Sequence, residues 1–294
     1  MTDFLAYLTL LQSAYPLLVL GIAGIFGLLI GSFLNVVVHR LPLMVDHDWQ
    51  TQASEILGHE PPPPLDLTLS RPRSRCPSCK HLIRAWENIP VISYLALRGR
   101  CANCGLPISA RYPIVEAITG AMTIGVIATW GLGPTGVALT ALSWVLLTLA
   151  LIDFDTQFLY DEITLPALWA GILINYFGLV TTLESAVIGA VVGYLSFWSI
   201  FWAFKLLTGK DGLGYGDFKL LALLGAWLGW QALPLIILLS SLVGTVAGGL
   251  MIATGREASR PFSFGPYLAL AGFIALMWGD AIMTTYWAWM TPAY

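Results

Sequence analysis

The stretch Gly212-Leu213-Gly214-Tyr215-Gly216-Asp217 runs straight into an apolar segment, Phe218 to Trp230. An apolar run headed by a carboxylate reads as the mouth of a membrane helix, where an ionisable group is expensive and marks function. The three glycines allow backbone conformations closed to other residues and let another chain approach closely. A second acidic cluster, Asp153, Asp155 and Asp161, lies at the end of another apolar stretch. The fold therefore turns on whether these two acidic ends meet at a membrane surface.

Composition supports a membrane setting. Of 294 residues, 57% are hydrophobic and only 11% are charged, against about 25% charged in a soluble protein. Mean hydropathy is +0.76. The net charge of −3 says little beside where the charges lie, and no basic patch suggests nucleic acid as a partner. The start, Met1-Thr2-Asp3-Phe4, lacks a basic region, so the first apolar run is expected to be a retained anchor.

Eight apolar stretches approach the ~17–25 residues that a bilayer core demands. They are 16–38, 114–131, 134–152, 163–181, 185–206, 217–231, 232–254 and 264–287. Trp130, Trp202, Trp230 and Trp287 fall near their ends, as an aromatic belt would place them. Nine of the fourteen basic residues lie between Arg40 and Arg111; Lys205, Lys210 and Lys219 flank the fifth-to-sixth connection, and Arg256 and Arg260 the seventh-to-eighth. With eight spans all of these share one face, which the positive-inside rule makes cytoplasmic, with both termini outside. Asp153 and Asp217 fall on that face. Asp3, Glu184 and Asp280 near the other face read as solvated. The expected fold is all-α: a polytopic membrane protein of about eight transmembrane helices, with a small cytoplasmic domain inserted between the first and second. Its parts are 1–38, 39–112 and 113–294.

The insert holds every cysteine of the chain, in Cys76-Pro77-Ser78-Cys79 and Cys101-Ala102-Asn103-Cys104. Two such pairs 21 residues apart read as a tetrathiolate zinc site. Disulfides are the rival reading, disfavoured in a reducing cytoplasm. Gly105 suits a tight turn after the second pair. Four cysteines close the metal's coordination, so the zinc is expected to be structural. His81 stands beside the site and could replace a ligand, but it, His39, His47 and His59 read as ordinary surface or interfacial residues. The first half of the insert, through Pro61-Pro62-Pro63-Pro64, is polar and turn-rich, and is expected to be irregular.

Two carboxylates at one depth on adjacent helices can hydrolyse a peptide, one ionised and taking a proton from water, the other protonated and polarising the carbonyl. No other polar centre stands out in the spans. The alternative is structural: Asp161 and Asp217 each stand where a helix N-cap would.

The chain resembles the bacterial type IV prepilin peptidases, the prepilin leader peptidase/N-methyltransferases. Gly31-Ser32-Phe33-Leu34-Asn35-Val36-Val37-Val38-His39-Arg40-Leu41-Pro42, both cysteine pairs, Trp86-Glu87-Asn88-Ile89-Pro90, Ser93-Tyr94-Leu95 and Arg111-Tyr112-Pro113 carry the resemblance, with the G-x-G-D motif Gly214-Tyr215-Gly216-Asp217 and Phe264-Gly265-Pro266-Tyr267. The resemblance implies Asp153 and Asp217 as the catalytic pair, with Gly214, Gly216, Asp155 and Asp161 in support. It implies cleavage of a basic leader from prepilins and pseudopilins after a glycine, at the cytoplasmic face of the inner membrane. Methylation of the new N-terminus with S-adenosylmethionine follows, with Gly99 implicated, although a plain turn explains that glycine equally well. One departure stands out: Leu159-Tyr160-Asp161 replaces the family's Leu-Pro-Asp, which should loosen the loop there. An ion-conducting transporter or a non-catalytic assembly factor are the rival readings. Acids gathered at one face argue against an ion path.

Overall fold

The computed structural model describes residues 8, 10–254 and 263–290; Asp3, Arg256 and Arg260 lie outside them. The described helices are α1 (Pro16–Leu57), a 3-10 turn (Ala85–Asn88), α2 (Ile92–Ala96), α3 (Arg111–Trp130), α4 (Pro134–Thr156), α5 (Asp161–Tyr176), α6 (Leu183–Thr208), α7 (Tyr215–Leu228), α8 (Leu233–Ala253) and α9 (Gly265–Met290). Among the described residues, β pairing is limited to two isolated bridges. The chain packs as two compact units, Met1–Leu132 and Gly133–Tyr294.

In the first unit α1 packs along α3. The sequence reason is a small-residue face: Gly27 and Gly31, four apart, let the two backbones close, as in membrane helix pairs. A Cβ on Gly27 would lie 2.9 Å from Gly120 Cα, and one on Gly31 2.7 Å from Glu116 Cα. At 1.5 Å per residue the 42-residue α1 is about 63 Å long, twice the ~30 Å hydrocarbon core. Its second half therefore extends beyond a bilayer. The irregular structure expected there is instead helix as far as Leu57. Residues 43–57 contain no glycine or proline, and Gly58 (φ 68°) ends the helix by donating to Glu55 O while His59 donates to Ser54 O, a Schellman cap. This stem holds the chain that follows: Arg40 donates to Thr68 O (2.8 Å) and Pro72 O (2.7 Å).

The second unit is built around α7. From Asp217 to Trp227 every residue except Lys219 is buried. A helix apolar all round is a core helix, and its neighbours reach it through glycines. Gly189 of α6 meets Gly225 backbone to backbone, Gly171 of α5 lies under Trp227, and Gly272 of α9 lies against Leu224. Eight described helices, α1 and α3 to α9, overlap the eight expected spans. Among the described residues, six helices are long and apolar enough to cross a membrane; α5 and α7 have 16 and 14 residues, about 24 and 21 Å. The apolarity of α7 answers to protein around it rather than to lipid.

A buried asparagine ties α5 to the end of α7. Asn175 Nδ2 donates to Ala226 O (2.9 Å) and Trp227 O (3.0 Å), while its Oδ1 accepts from Val180 N (3.2 Å) and Thr181 N (2.9 Å). Asn175→Ala leaves four backbone groups without this partner, at about 1–3 kcal/mol for each that stays buried. A clear fall in thermal midpoint in detergent is expected, and an unchanged midpoint would contradict this role.

Candidate active site

Asp217 lies in the first turn of α7, which starts because Gly214 is extended (φ −80°, ψ 144°) and an acid complements a helix N-terminus. Its Oδ2 accepts the Gly214 N–H at 3.3 Å. Asp217 thus caps the helix from inside, at N3, rather than at the N-cap position. It is buried, only 7% exposed.

Asp153 lies in the last turn of α4, 5% exposed. The helix stops at Gln157, a left-handed residue whose N–H returns to Asp153 O at 2.9 Å. The Asp153 carboxylate accepts from the Ser263 hydroxyl and from the Gly265 backbone N–H. It also acts electrostatically on Asp217, so two helix ends distant in sequence bring these carboxylates into range of each other. Asp155 is exposed. Asp161 is the first residue of α5 rather than its cap, and both its oxygens accept from Lys219 Nζ at 2.7 Å. Ser263 went unnoticed in the sequence, although it directly precedes the quoted Phe264-Gly265-Pro266-Tyr267.

None of Gly212, Gly214 and Gly216 has a positive φ. These glycines serve close approach, and what approaches is the chain itself. A Cβ on Gly216 would lie 2.8 Å from Leu159 Cβ, and one on Gly212 2.7 Å from the Phe204 ring. A Cβ on Gly265 would meet Leu159 Cδ1 at 3.3 Å, so Leu159 is wedged where α7 and α9 begin. The residue after it, Tyr160, is buried with φ −73°, within the range a proline would impose. The departure from Leu-Pro-Asp therefore keeps the backbone and does not loosen it.

The first unit contains a polar centre that the sequence reading passed over. Glu116 of α3 is buried and accepts the Val91 N–H at 2.8 Å and the Ser32 hydroxyl. It ties the turn before α2 to the membrane helices.

The four cysteine sulfurs lie within 4.8 Å of one another. Cys76 Sγ is 3.8 Å from Cys104 Sγ, and Cys79 Sγ is 4.0 Å from Cys101 Sγ. A tetrahedron with Zn–S bonds of ~2.3 Å has edges of about 3.8 Å, so the sulfurs fit zinc. The two knuckles repeat one design. Cys76 N donates to His81 O and Lys80 N to Cys76 O; Cys101 N donates to Leu106 O and Gly105 N to Cys101 O. Both turns need a left-handed residue, Lys80 (φ 58°) and Gly105 (φ 71°). Lys80→Gly should therefore stabilise the first knuckle by about 1 kcal/mol, read as slower zinc loss to a chelator; faster loss would refute it. The Asn103 side chain, then the His81 backbone, draw the Cys79 thiol down to about 6. The His81 ring faces Glu87 at 3.1 Å, outside the sulfur cluster. The Arg84 amide, then the His81 ring, hold the Glu87 carboxyl below its ordinary value. Gly99 (φ 67°) lies against the Tyr94 ring, where a Cβ would be 2.9 Å away. That gives it a conformational reason.

Fold and sites together define a polytopic helical membrane protein with a buried carboxylate pair in one unit and, in the other, a four-cysteine cluster that could hold a metal. The chain belongs to the type IV leader peptidase family, whose model matches residues 140–249, while residues 25–130 match the bacterial peptidase A24 N-terminal domain. It is 54% identical over 273 residues to a prepilin leader peptidase/N-methyltransferase of Stutzerimonas stutzeri, covering 92% of this chain and 94% of that one. It is 53% identical to the protein of that name from Pseudomonas aeruginosa (93% and 95% covered), and 52% identical to that from Aeromonas hydrophila (96% and 98% covered). No solved structure matches the chain at a significant level.

Proposed function

We propose that this chain cleaves the basic leader of prepilins and pseudopilins after a glycine and then methylates the new N-terminal amine. Asp153 and Asp217 are the catalytic pair. The observation that carries this is the burial of both carboxylates at helix ends within one unit, in electrostatic range of each other. Two such groups share a proton, because both cannot ionise cheaply side by side. The ionised one takes a proton from water, whose oxygen attacks the scissile carbonyl carbon. The protonated one gives its proton to the carbonyl oxygen. Collapse of the resulting diol, with a proton passed to the leaving nitrogen, breaks the bond. Ser263 and Gly265 aim Asp153, and the Gly214 N–H aims Asp217. Gly214 and Gly216 support the α7 entrance, and Asp161, paired with Lys219, supports the loop beside it.

Cys76, Cys79, Cys101 and Cys104 would hold a structural zinc that contributes folding energy. Bound S-adenosylmethionine supplies an electrophilic methyl group. The proposed organisation is 1–38, a cytoplasmic zinc-binding segment 39–112 and a catalytic membrane part 113–294. The protein lies in the bacterial inner membrane with both termini periplasmic, and with zinc segment and aspartates cytoplasmic. The short α5 and α7 count as crossings here, because that arrangement gathers the basic residues on one face.

Purified protein in detergent, given a prepilin and S-adenosylmethionine, is expected to yield mature pilin, with leader removal and methyl transfer scored separately. Uncut prepilin would overturn the reading. Gly265→Ala tests the aim of Asp153. The added methyl would lie 2.5 Å from Asp153 Oδ2, so the carboxylate must shift. A displacement of this order costs about 10²-fold, read as kcat for cleavage; wild-type kcat would contradict it.

A further inference from the structure

We propose that a cleft beside the cysteine cluster seats the S-adenosylmethionine methyl donor; this rests on the methyltransferase reading above. The cleft has a volume of ≈ 230 Å³ and is lined by His81, Arg84, Trp86, Glu87, Ala102 and Asn103. It lies within the first unit, whereas Asp153 and Asp217 belong to the second, and the peptidase chemistry leaves its side chains without a task.

The lining matches the donor group by group. S-adenosylmethionine joins an aromatic base, a ribose with two hydroxyls, a sulfonium cation and an amino-acid tail. Trp86 is half exposed, at 52%, and it is the aromatic side chain that lines the cleft besides the His81 ring. An open indole offers a flat face to a purine, and such stacks contribute about 1–3 kcal/mol per base. Beside it the Glu87 side chain is 6% exposed. Its Oε2 already accepts from Arg84 N (2.9 Å) and His81 Nε2 (3.1 Å), whereas Oε1 has only a 3.4 Å contact to His81. A carboxylate can accept about four hydrogen bonds, so Oε1 retains capacity for ribose hydroxyls, and its charge favours a sulfonium nearby. Arg84 supplies the cation that a tail carboxylate needs. The cleft is smaller than the ~300–1,000 Å³ of most ligand pockets. It therefore encloses the base and ribose, while the exposed Arg84 meets the tail outside and the sulfonium methyl stays open to an incoming amine.

The test is equilibrium dialysis of radiolabelled S-adenosylmethionine against full-length, zinc-loaded protein in detergent micelles. Wild type, Trp86→Ala, Trp86→Phe and Glu87→Gln are compared, each first shown to retain its zinc. Trp86→Ala is expected to weaken binding about tenfold, the scale of one stack, with Trp86→Phe restoring most of it. Glu87→Gln weakens binding as well. Wild-type affinity in Trp86→Ala and Glu87→Gln overturns the cleft while leaving the methyltransferase reading intact. Absence of binding by wild type overturns that reading, and the cleft with it.

Discussion

Asp153→Asn and Asp217→Asn each abolish leader cleavage, lowering its rate by at least the ~10²–10⁴-fold that one general acid–base group contributes. The substitution preserves shape. An amide oxygen can still accept the Gly214 N–H at the start of α7, and another can still accept from Ser263 and Gly265. What it removes is the ability to carry a proton between water, carbonyl oxygen and leaving nitrogen. Thermal midpoints should stay close to wild type while turnover disappears. Neighbouring acids sharpen the test. Asp155 is exposed on the last turn of α4, and Asp161 forms a partly exposed ion pair with Lys219, a class worth about 0–1 kcal/mol. Asp155→Asn and Asp161→Asn should therefore lower activity far less. Full cleavage by either Asp153→Asn or Asp217→Asn would remove the pair from the mechanism.

The reading of Asp217 shows how far the sequence carried. Its membrane-helix setting followed from the apolar run behind it, and the Asp153 partnership from resemblance. The donors that aim the pair did not follow. Ser263 and Gly265 precede or open the last helix, and no local pattern says that this helix start folds back onto the end of α4. Leu159 was invisible for the same reason, since a leucine in a short loop has no periodicity to read. Each of the eight apolar stretches became a helix, but composition did not show that α5 and α7 would be short, nor that α7 would be enclosed by protein. The long α1 carried a misleading cue: polar residues beyond 42 look like loop, although nothing there breaks a helix before Gly58. Glu116 was missed because a carboxylate just inside a span resembles a solvated end, whereas its partners Ser32 and Val91 come from elsewhere in the unit. The cysteine cluster was the most legible feature, since thiolate chemistry and spacing leave few alternatives.

Removing the metal should have the second large effect. Between residues 58 and 110 only Cys76, Pro90 and Gly99 are buried, so this segment has almost no apolar core to hold it. Its backbone bridges, Arg75 to Leu82 and Arg100 to Pro107, each span a single knuckle. Such isolated hairpins are marginal in water. Structural zinc contributes about 10–16 kcal/mol of apparent binding free energy in small zinc domains, as much as the whole stability of many folded domains. Chelation, or Cys76→Ser, should therefore melt this segment and leave the helices standing. Limited proteolysis should cut freely between residues 58 and 110 in the chelated protein. The zinc-loaded form, containing about one zinc per chain, should resist. The helical circular dichroism signal should change little, because the described long helices, including α1 to Leu57, lie outside the segment. The contacts from Arg40 to Thr68 and Pro72 cannot replace the metal: they fasten one edge of the segment and do not join the two knuckles to each other. An unchanged cleavage pattern after verified zinc removal would mean that the four sulfurs do not hold this segment together.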